Sequence, residues 1–177
     1  MHILLPDIAD TYYGTSFLPG PNGSEGVMHV GGWGDHYYSF IQFDLTNVPR
    51  AELIKSAILN LYETGTNTIS PVPRVYRITA SWTEGSLSRT VNPAFDAATF
   101  YTFSPAWTNA VGWKTCDITT LLKQWLAGTY TNYGITVRDN ANSPNSDSQI
   151  ATKENADPTL APYLDINTFV PKSLGLR

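Results

Sequence analysis

Carboxylates and histidines are the residues of this chain that could do acid–base chemistry. A serine or cysteine nucleophile needs an adjacent base, usually histidine, and the chain has only 3 histidines and no Gly-x-Ser-x-Gly elbow. Glycoside hydrolysis needs two carboxylates on either side of a bond. Of the 15 acids, Asp35, Glu84 and Glu154 are the nearest to predicted loops, but no local motif marks a pair. A small polysaccharide-cleaving enzyme is therefore the weakest functional alternative.

A metal site is the second chemistry that the residues suggest. His29 and His36 with Asp35 match no spacing of a transition-metal site, and the single cysteine, Cys116, excludes an internal disulfide and cysteine-based zinc clusters. Calcium needs about six to eight oxygen ligands. Some could come from acids near the first and last strands, namely Asp7 and Asp10 with Asp139 or Asp165. Because no Asp-x-Asp-x-Asp-Gly loop is present, no ligand is assigned and a structural calcium ion is left open as the one cofactor.

The aromatic side chains are the most informative group for function. Trp33, Tyr37, Tyr101 and Trp107 lie in segments rich in Gly, Asp, Asn or Pro, which are typical of loops. An exposed indole or phenol stacks on the apolar C–H face of a sugar ring, while nearby polar groups bind the hydroxyls. Each ring alone fits loop anchoring slightly better, but together they favour a shallow binding face. We therefore predict these four as ligand-binding residues, and we predict no catalytic residue.

Period-2 alternation of apolar and polar residues predicts strands along most of the chain. In Ile54–Tyr62, the side chains of Ala57, Leu59 and Leu61 are expected to face one way and that of Tyr62 the other. The other predicted strands are Val27–Gly31, Tyr38–Leu45, Val72–Ile78, Trp113–Asp117, Gly134–Arg138, Gln149–Lys153 and Tyr163–Phe169. Three tryptophans inside periodic segments, Trp82, Trp113 and Trp125, are predicted to pack in the core. The short strands predict an all-β fold, an antiparallel β-sandwich of the jelly-roll type.

One segment has helical rather than strand periodicity. Its apolar residues recur at 3.6-residue spacing and predict one short helix near residues 118–127, which begins at Asp117 or Thr119 and ends at Gly128. Two irregular stretches, Leu18–Gly26 and Leu87–Val111, are predicted as long loops. Residues 1–169 are expected to form a single sandwich domain and residues 170–177 a C-terminal tail.

Charge and hydropathy exclude several kinds of partner. The net charge is −4 and no basic cluster is present, so nucleic-acid binding is not expected. No apolar run approaches the ~18–20 residues that cross a bilayer, so membrane insertion is not expected either. The opening residues lack the basic and apolar stretches of a secretory signal, so this chain is expected to carry no signal peptide.

Short motifs spaced along the chain resemble those of the DNRLRE domain family, which is also grouped with a family of carbohydrate-binding modules. The matching segments, in order, are Ala9–Gly14, Phe40–Leu45 with Val48–Pro49, Ile54–Tyr62, Val75–Thr79 with Ser81–Glu84, Asp117–Thr119 with Gln124–Trp125, Gly128 and Tyr133–Gly134, and Lys153–Glu154 with Ala161–Leu164. Two positions depart from the family pattern. Lys153 lies where a serine is usual close by, and Ala161 replaces an arginine before Pro162.

The resemblance implies an antiparallel β-sandwich with a non-catalytic, extracellular role in binding polysaccharides or surfaces. The first functional hypothesis is thus a carbohydrate-binding or surface-adhesion module that recognises polysaccharide or cell-surface glycan through exposed aromatics. The alternative is a phage virion structural or decoration protein, on a capsid or tail surface, whose partners are other virion proteins. The expected location is extracellular or on the virion surface.

Overall fold

The computed structural model describes residues 1–32, 34–66, 69–108, 110–141 and 145–169. Its strands are β1 (His2–Gly14), β2 (Val27–Val30), β3 (Tyr37–Phe43), β4 (Ile54–Thr66), β5 (Pro73–Ile78), β6 (Phe95–Thr102), β7 (Gly112–Asp117), β8 (Ile135–Asp139), β9 (Ser148–Ala151) and β10 (Tyr163–Thr168). One helix, α1 (Thr119–Leu126), follows β7, and short 3-10 turns cover Ala51–Leu53 and Pro158–Leu160.

Strand β1 belongs to both sheets of the fold. Its first part, His2–Pro6, pairs with β10 in sheet A, which also contains β4, β7, β9 and β2. Its second part, Asp7–Gly14, pairs with β3 in sheet B, which continues through β8, β5 and β6. The register shifts between Asp7 and Ala9, where the strand changes sheets. All of these pairings are antiparallel, as predicted.

The main hydrophobic core lies between the two sheets. From sheet A, Ala57, Leu59 and Leu61 are fully buried, and from sheet B so are Ile41 and Val137. The side chains between them on each strand point outward, because successive residues of a strand alternate faces. The alternation in β4 and the antiparallel sandwich are thus confirmed.

A second apolar cluster covers the outer face of sheet B. It contains Tyr13, Phe40, Ile78 and Leu87, with Trp82 packed against it. Trp82 also donates its indole N–H to the Tyr133 carbonyl at 2.7 Å. The segment between β5 and β6 is held against sheet B by these contacts, so much of that outer face is closed to ligands.

The predicted helix is confirmed. The Asp117 carboxylate accepts a hydrogen bond from the Thr119 N–H at 2.8 Å at its start, and Gly128 has a φ of 72° just beyond its end. The helix buries Leu121, Leu122 and Trp125 against the core.

The prediction of one long loop over Leu87–Val111 is wrong, because residues Phe95–Thr102 form β6. This strand pairs on one side with β5, and most of its side chains are exposed. Without a buried face it has no apolar alternation to reveal it. The predicted tail, residues 170–177, lies outside the described residues. No helix in the described ranges is both long and apolar enough to span a lipid bilayer.

Asp35 organises the loop after β1. Its carboxylate accepts hydrogen bonds from the Thr15 hydroxyl and from the backbone N–H groups of Ser16, Phe17 and His36, the last three at 2.8 Å. Burial alone would raise the pKa of Asp35, but these donors outweigh it and lower the pKa to about 2. Asp35 is therefore a structural residue that the folded state requires in its ionised form.

We expect Asp35→Asn to lower the free energy of unfolding by about 2 kcal/mol at pH 7. The folded pKa lies below the unfolded value, so the wild-type advantage is fully present above pH ~4 and disappears as the pH falls through about 2. Urea denaturation of both proteins between pH 7 and pH 2 measures this difference. The control is Glu52→Gln, whose side chain is 67% exposed. A pH-independent gap between Asp35→Asn and wild type would contradict the prediction.

Candidate functional site

The structure buries two of the four aromatic residues that the sequence predicts as ligand-binding. Tyr37 and Trp107 are each only 6% exposed. The Tyr37 ring packs edge-on against Tyr12 with centroids 6.4 Å apart, and the Trp107 ring packs edge-on against Phe103 at 4.7 Å. Their expected exposure is therefore wrong, because both rings fill the core where their strands and loops meet it.

The other two predicted ligand-binding aromatics are Tyr101 and Trp33. Tyr101, on β6, is half-buried and packs against the main core, and burial raises its pKa. Trp33 lies outside the described residues. Ligand binding by Trp33, Tyr37, Tyr101 and Trp107 stays a prediction, and in the described part of the chain these residues do not share an exposed face.

Four acidic residues meet where β1 changes sheets, and we call them the acidic corner: Asp7, Asp10, Glu84 and Glu154. One carboxylate oxygen from each of Asp10, Glu84 and Glu154 lies within 4.8 Å of the others. Burial raises the pKa of Asp7 and of Asp10, and the neighbouring Asp7 carboxyl raises that of Asp10 further. The Lys153 ammonium binds both Glu84 and Glu154, and these two carboxylates in turn raise its pKa against the effect of burial.

An exposed aromatic cluster occupies the outer face of sheet A, and we call it the aromatic platform: Tyr62, Trp113 and Tyr163. Trp113 is 41% exposed. Its ring lies 5.2 Å from that of Tyr62 and 5.2 Å from that of Tyr163, both in edge-to-face geometry with interplanar angles of 79° and 76°. Edge-to-face packing is a favourable arrangement for aromatic pairs, so the two tyrosines hold the indole in place from neighbouring strands.

The prediction that Trp113 packs in the core is wrong. Successive side chains of β7 point to opposite faces of the sheet. Cys116, which is only 1% exposed, faces the core. Trp113 lies on the other face, together with Thr115 and Asp117. Trp113 is two and four residues from these polar residues, so it shares their solvent-facing side of the strand. This spacing is the sequence signal for an exposed Trp113. The hydrophobicity of tryptophan alone favours the core, and it conceals this signal.

Polar side chains continue the same face beyond the platform. In the register of sheet A, Asn60 lies opposite both Tyr163 and Thr115, and Ile58 lies opposite both Asp165 and Asp117. The Thr115 hydroxyl donates to the Ser104 carbonyl at 2.8 Å, which leaves its oxygen free to accept. The outer face of sheet A thus combines a flat apolar patch with hydrogen-bonding groups one row away.

A concave site of about 230 Å³ adjoins the Trp113 ring. It is lined by Pro105, Ala106, Thr108, Ala110, Val111, Gly112, Trp113, Lys114 and Thr115. The segment between β6 and β7 forms most of its wall, so the shape of the site depends on how that segment is held.

A buried ion pair holds this segment. The Lys114 ammonium lies 2.8 Å from the Glu63 carboxylate and donates to the carbonyls of Thr108 and Ala110 at 3.0 and 2.7 Å. The other Glu63 oxygen accepts from the Trp107 indole N–H at 3.1 Å. Glu63 is fully buried and the Lys114 side chain is 10% exposed. Trp107 therefore anchors the wall of the site rather than lining it.

We expect Lys114→Met to lower the free energy of unfolding by about 3 kcal/mol, because it leaves the Glu63 carboxylate buried without its cation. Guanidinium denaturation measures the loss. The matched control is Lys55→Met, at an exposed position of the adjacent strand β4, which should change stability by less than about 0.5 kcal/mol. Equal effects of the two substitutions would show that the buried pair contributes nothing specific.

Comparison with protein families matches residues 5–168 to carbohydrate-binding module family 96. A search of curated proteins found no match. The match confirms the resemblance to a family of carbohydrate-binding modules, while the DNRLRE assignment stays a prediction. Because it spans nearly all of the strands described above, it applies to the sandwich as a whole. The chain belongs to carbohydrate-binding module family 96.

Proposed function

We propose that this chain is a non-catalytic module that binds polysaccharide through the aromatic platform on the outer face of sheet A. The observation that carries the proposal is the exposed Trp113 ring, fixed between Tyr62 and Tyr163. We propose an extracellular location for this module, with the virion surface as the alternative. The family assignment supports carbohydrate binding, and the platform is the surface that we assign to it.

The platform suits the chemistry of a sugar ring. A pyranose has an apolar C–H face that covers an aromatic ring, and its burial is favourable in proportion to the apolar area removed from water. Trp113 offers the largest such surface, and its position is set before binding by two neighbouring rings. A preordered side chain loses little conformational freedom when the ligand binds, so more of the contact energy appears as affinity.

The neighbouring polar row suits the sugar hydroxyls. Residues two apart on a strand face the same way at a spacing of about 6.6–6.8 Å. Thr115 therefore lies on the same face as Trp113, and Asp165 on the same face as Tyr163. In each pair the spacing along the strand is about the width of one sugar ring. The Asp165 carboxylate already accepts from the His2 imidazole at 2.8 Å, which orients it. Carboxylate and hydroxyl oxygens in this row would accept hydrogen bonds from a bound saccharide.

The acidic residues support a binding role over a hydrolytic one. Glycosidases need one carboxyl group in the protonated form as a general acid. Glu84 and Glu154 are two of the three acids that the sequence places nearest to loops, and the Lys153 ammonium binds one oxygen of each. Both carboxylates are thus engaged in ion pairs within the fold, which is the ordinary role of a structural acid.

We expect Trp113→Ala to weaken polysaccharide binding at least tenfold, a loss of about 1.4 kcal/mol or more, with little change in melting temperature. Affinity electrophoresis in gels that contain neutral glucans, xylan or polyuronates first identifies a retarding polymer and then compares variants. The matched control is Phe100→Ala on sheet B, because Phe100 and Trp113 are both 41% exposed. That control should bind as the wild type does.

Two results would contradict this assignment. If Trp33→Ala abolished retardation while Trp113→Ala did not, Trp33 and not the aromatic platform would be the binding residue. If no polymer in the panel retarded the wild-type protein, polysaccharide binding itself would fail as the function.

A further inference from the structure

Two carboxylates flank the aromatic platform on the outer face of sheet A. In the register of the sheet, Asp117 and Asp165 both lie opposite Ile58. Asp117 is exposed, and the side chain of Asp165 is 35% exposed. Among the described residues that these pairings place on the face between Trp113 and Asp165, none is a lysine or an arginine. The electrostatic potential over the platform is therefore negative.

The cation next to Trp113 in sequence has no donor left for a ligand. Lys114 points to the core side of β7, and its ammonium group has three N–H donors. One of them bonds the Glu63 carboxylate at 2.8 Å, and the other two bond the carbonyls of Thr108 and Ala110 at 3.0 and 2.7 Å. A carboxylate or sulfate group on a saccharide would therefore find no partner in this lysine.

The other positive charges of sheet A are distant or already balanced. Lys55 is seven residues before Tyr62 on β4, which corresponds to roughly 23 Å along the strand. This distance exceeds the Debye length of about 8 Å at physiological ionic strength. The Met1 ammonium donates to a backbone carbonyl at the same end of the sheet. The His2 imidazole lies 2.8 Å from the Asp165 carboxylate, so a positive charge on it is balanced within the protein.

We propose that the aromatic platform selects neutral saccharides and rejects those that carry carboxylate or sulfate groups. This inference rests on the proposed function and adds the chemical class of the ligand. An anionic group that approaches the platform would lose part of its hydration without gaining a cation, and such desolvation is costly. It would also face two carboxylates, whose repulsion strengthens where the ligand displaces water.

The same two carboxylates favour hydroxyl groups. An ionised carboxylate accepts hydrogen bonds and donates none, and a bond to an ionised acceptor is roughly twice as strong as one between neutral groups. Within the described residues, Asp117 accepts from the Thr119 N–H through Oδ1, and Asp165 accepts from His2 through Oδ1. Oδ2 of each can therefore accept from a sugar hydroxyl. Neutral sugars with free hydroxyl groups gain these bonds, whereas anionic groups are repelled.

The test compares polymers that share a backbone and differ in charge. Hydroxyethylcellulose is paired with carboxymethylcellulose, and methyl-esterified polygalacturonate is paired with the de-esterified polymer. Affinity electrophoresis of the full chain at low ionic strength gives a dissociation constant for each polymer. In every pair that binds, we expect the neutral member to bind about tenfold or more tightly than the anionic member, because screening is weak at low salt.

A double variant tests the role of the two carboxylates. Asp117→Asn with Asp165→Asn removes both charges and keeps an oxygen that accepts the same hydrogen bonds, so the fold should be retained. The ratio of the anionic to the neutral dissociation constant should fall about fivefold or more. The matched control is Asp44→Asn with Glu52→Gln, which changes the net charge by the same amount at positions outside the strands of sheet A. This control should leave the ratio within about twofold of the wild-type value.

The outcomes separate this inference from the proposed function. The inference is overturned if an anionic polymer binds the wild type as tightly as its neutral partner does. It is also overturned if the control lowers the ratio as much as the double variant, because net charge would then explain the preference. In both cases, loss of binding in Trp113→Ala would still support the proposed function. If Trp113→Ala binds the neutral polymer as the wild type does, or if no polymer binds, the proposed function fails and this inference fails with it.

Discussion

The pairing of β4 with its neighbours is the constraint on which the remaining features depend. Ala57, Leu59 and Leu61 must enter the core together, since a slip of one residue would expose all three and bury Tyr62. Once this register is set, β7 and β10 pair with β4 in fixed positions. The rings of Tyr62 and Tyr163 then both meet that of Trp113 on the opposite face. The position of the platform rings is thus set by the packing of the core on the other face of the same strands.

A buried charge links the core to the surface beside the platform. Glu63 follows Tyr62 directly and therefore points inward, where it is fully buried. A lone buried carboxylate would be strongly destabilising, but Lys114 also points inward, next to Trp113 on β7. Its ammonium uses its remaining donors on the carbonyls of Thr108 and Ala110. The ion pair thereby fixes the segment that forms the wall of the adjoining concave site.

The aromatic platform and the acidic corner lie on different parts of the sandwich and depend on different interactions. The aromatic platform relies on flat apolar area on a rigid sheet, and its ligand is weakly polar and large. The acidic corner relies on ion pairs at the point where β1 changes sheets, because the Lys153 ammonium binds both Glu84 and Glu154. These ion pairs connect the segment that covers sheet B with the turn after β9.

Much of the architecture is determined by local sequence. The alternation in Ile54–Tyr62 predicts strand β4, and the helical spacing between Asp117 and Gly128 predicts helix α1. Both predictions succeed because each pattern depends only on which side of one element meets the core. Strand β6 was missed because an exposed edge strand carries no such alternation. The motifs resembling a carbohydrate-binding family extended along the same strands, so the fold and the general class of ligand were both available from the sequence.

The binding surfaces were decided only by the tertiary structure. Local composition predicts Tyr37 and Trp107 in loops, and strand periodicity predicts Trp113 in the core, whereas packing buries the first two and exposes the third. Asp10, Glu84 and Glu154 are far apart along the chain, and no local spacing predicts that their carboxylates lie close together. Sequence periodicity reports which face of a single strand is apolar. It does not report which strands become neighbours, and both the aromatic platform and the acidic corner exist only between neighbours.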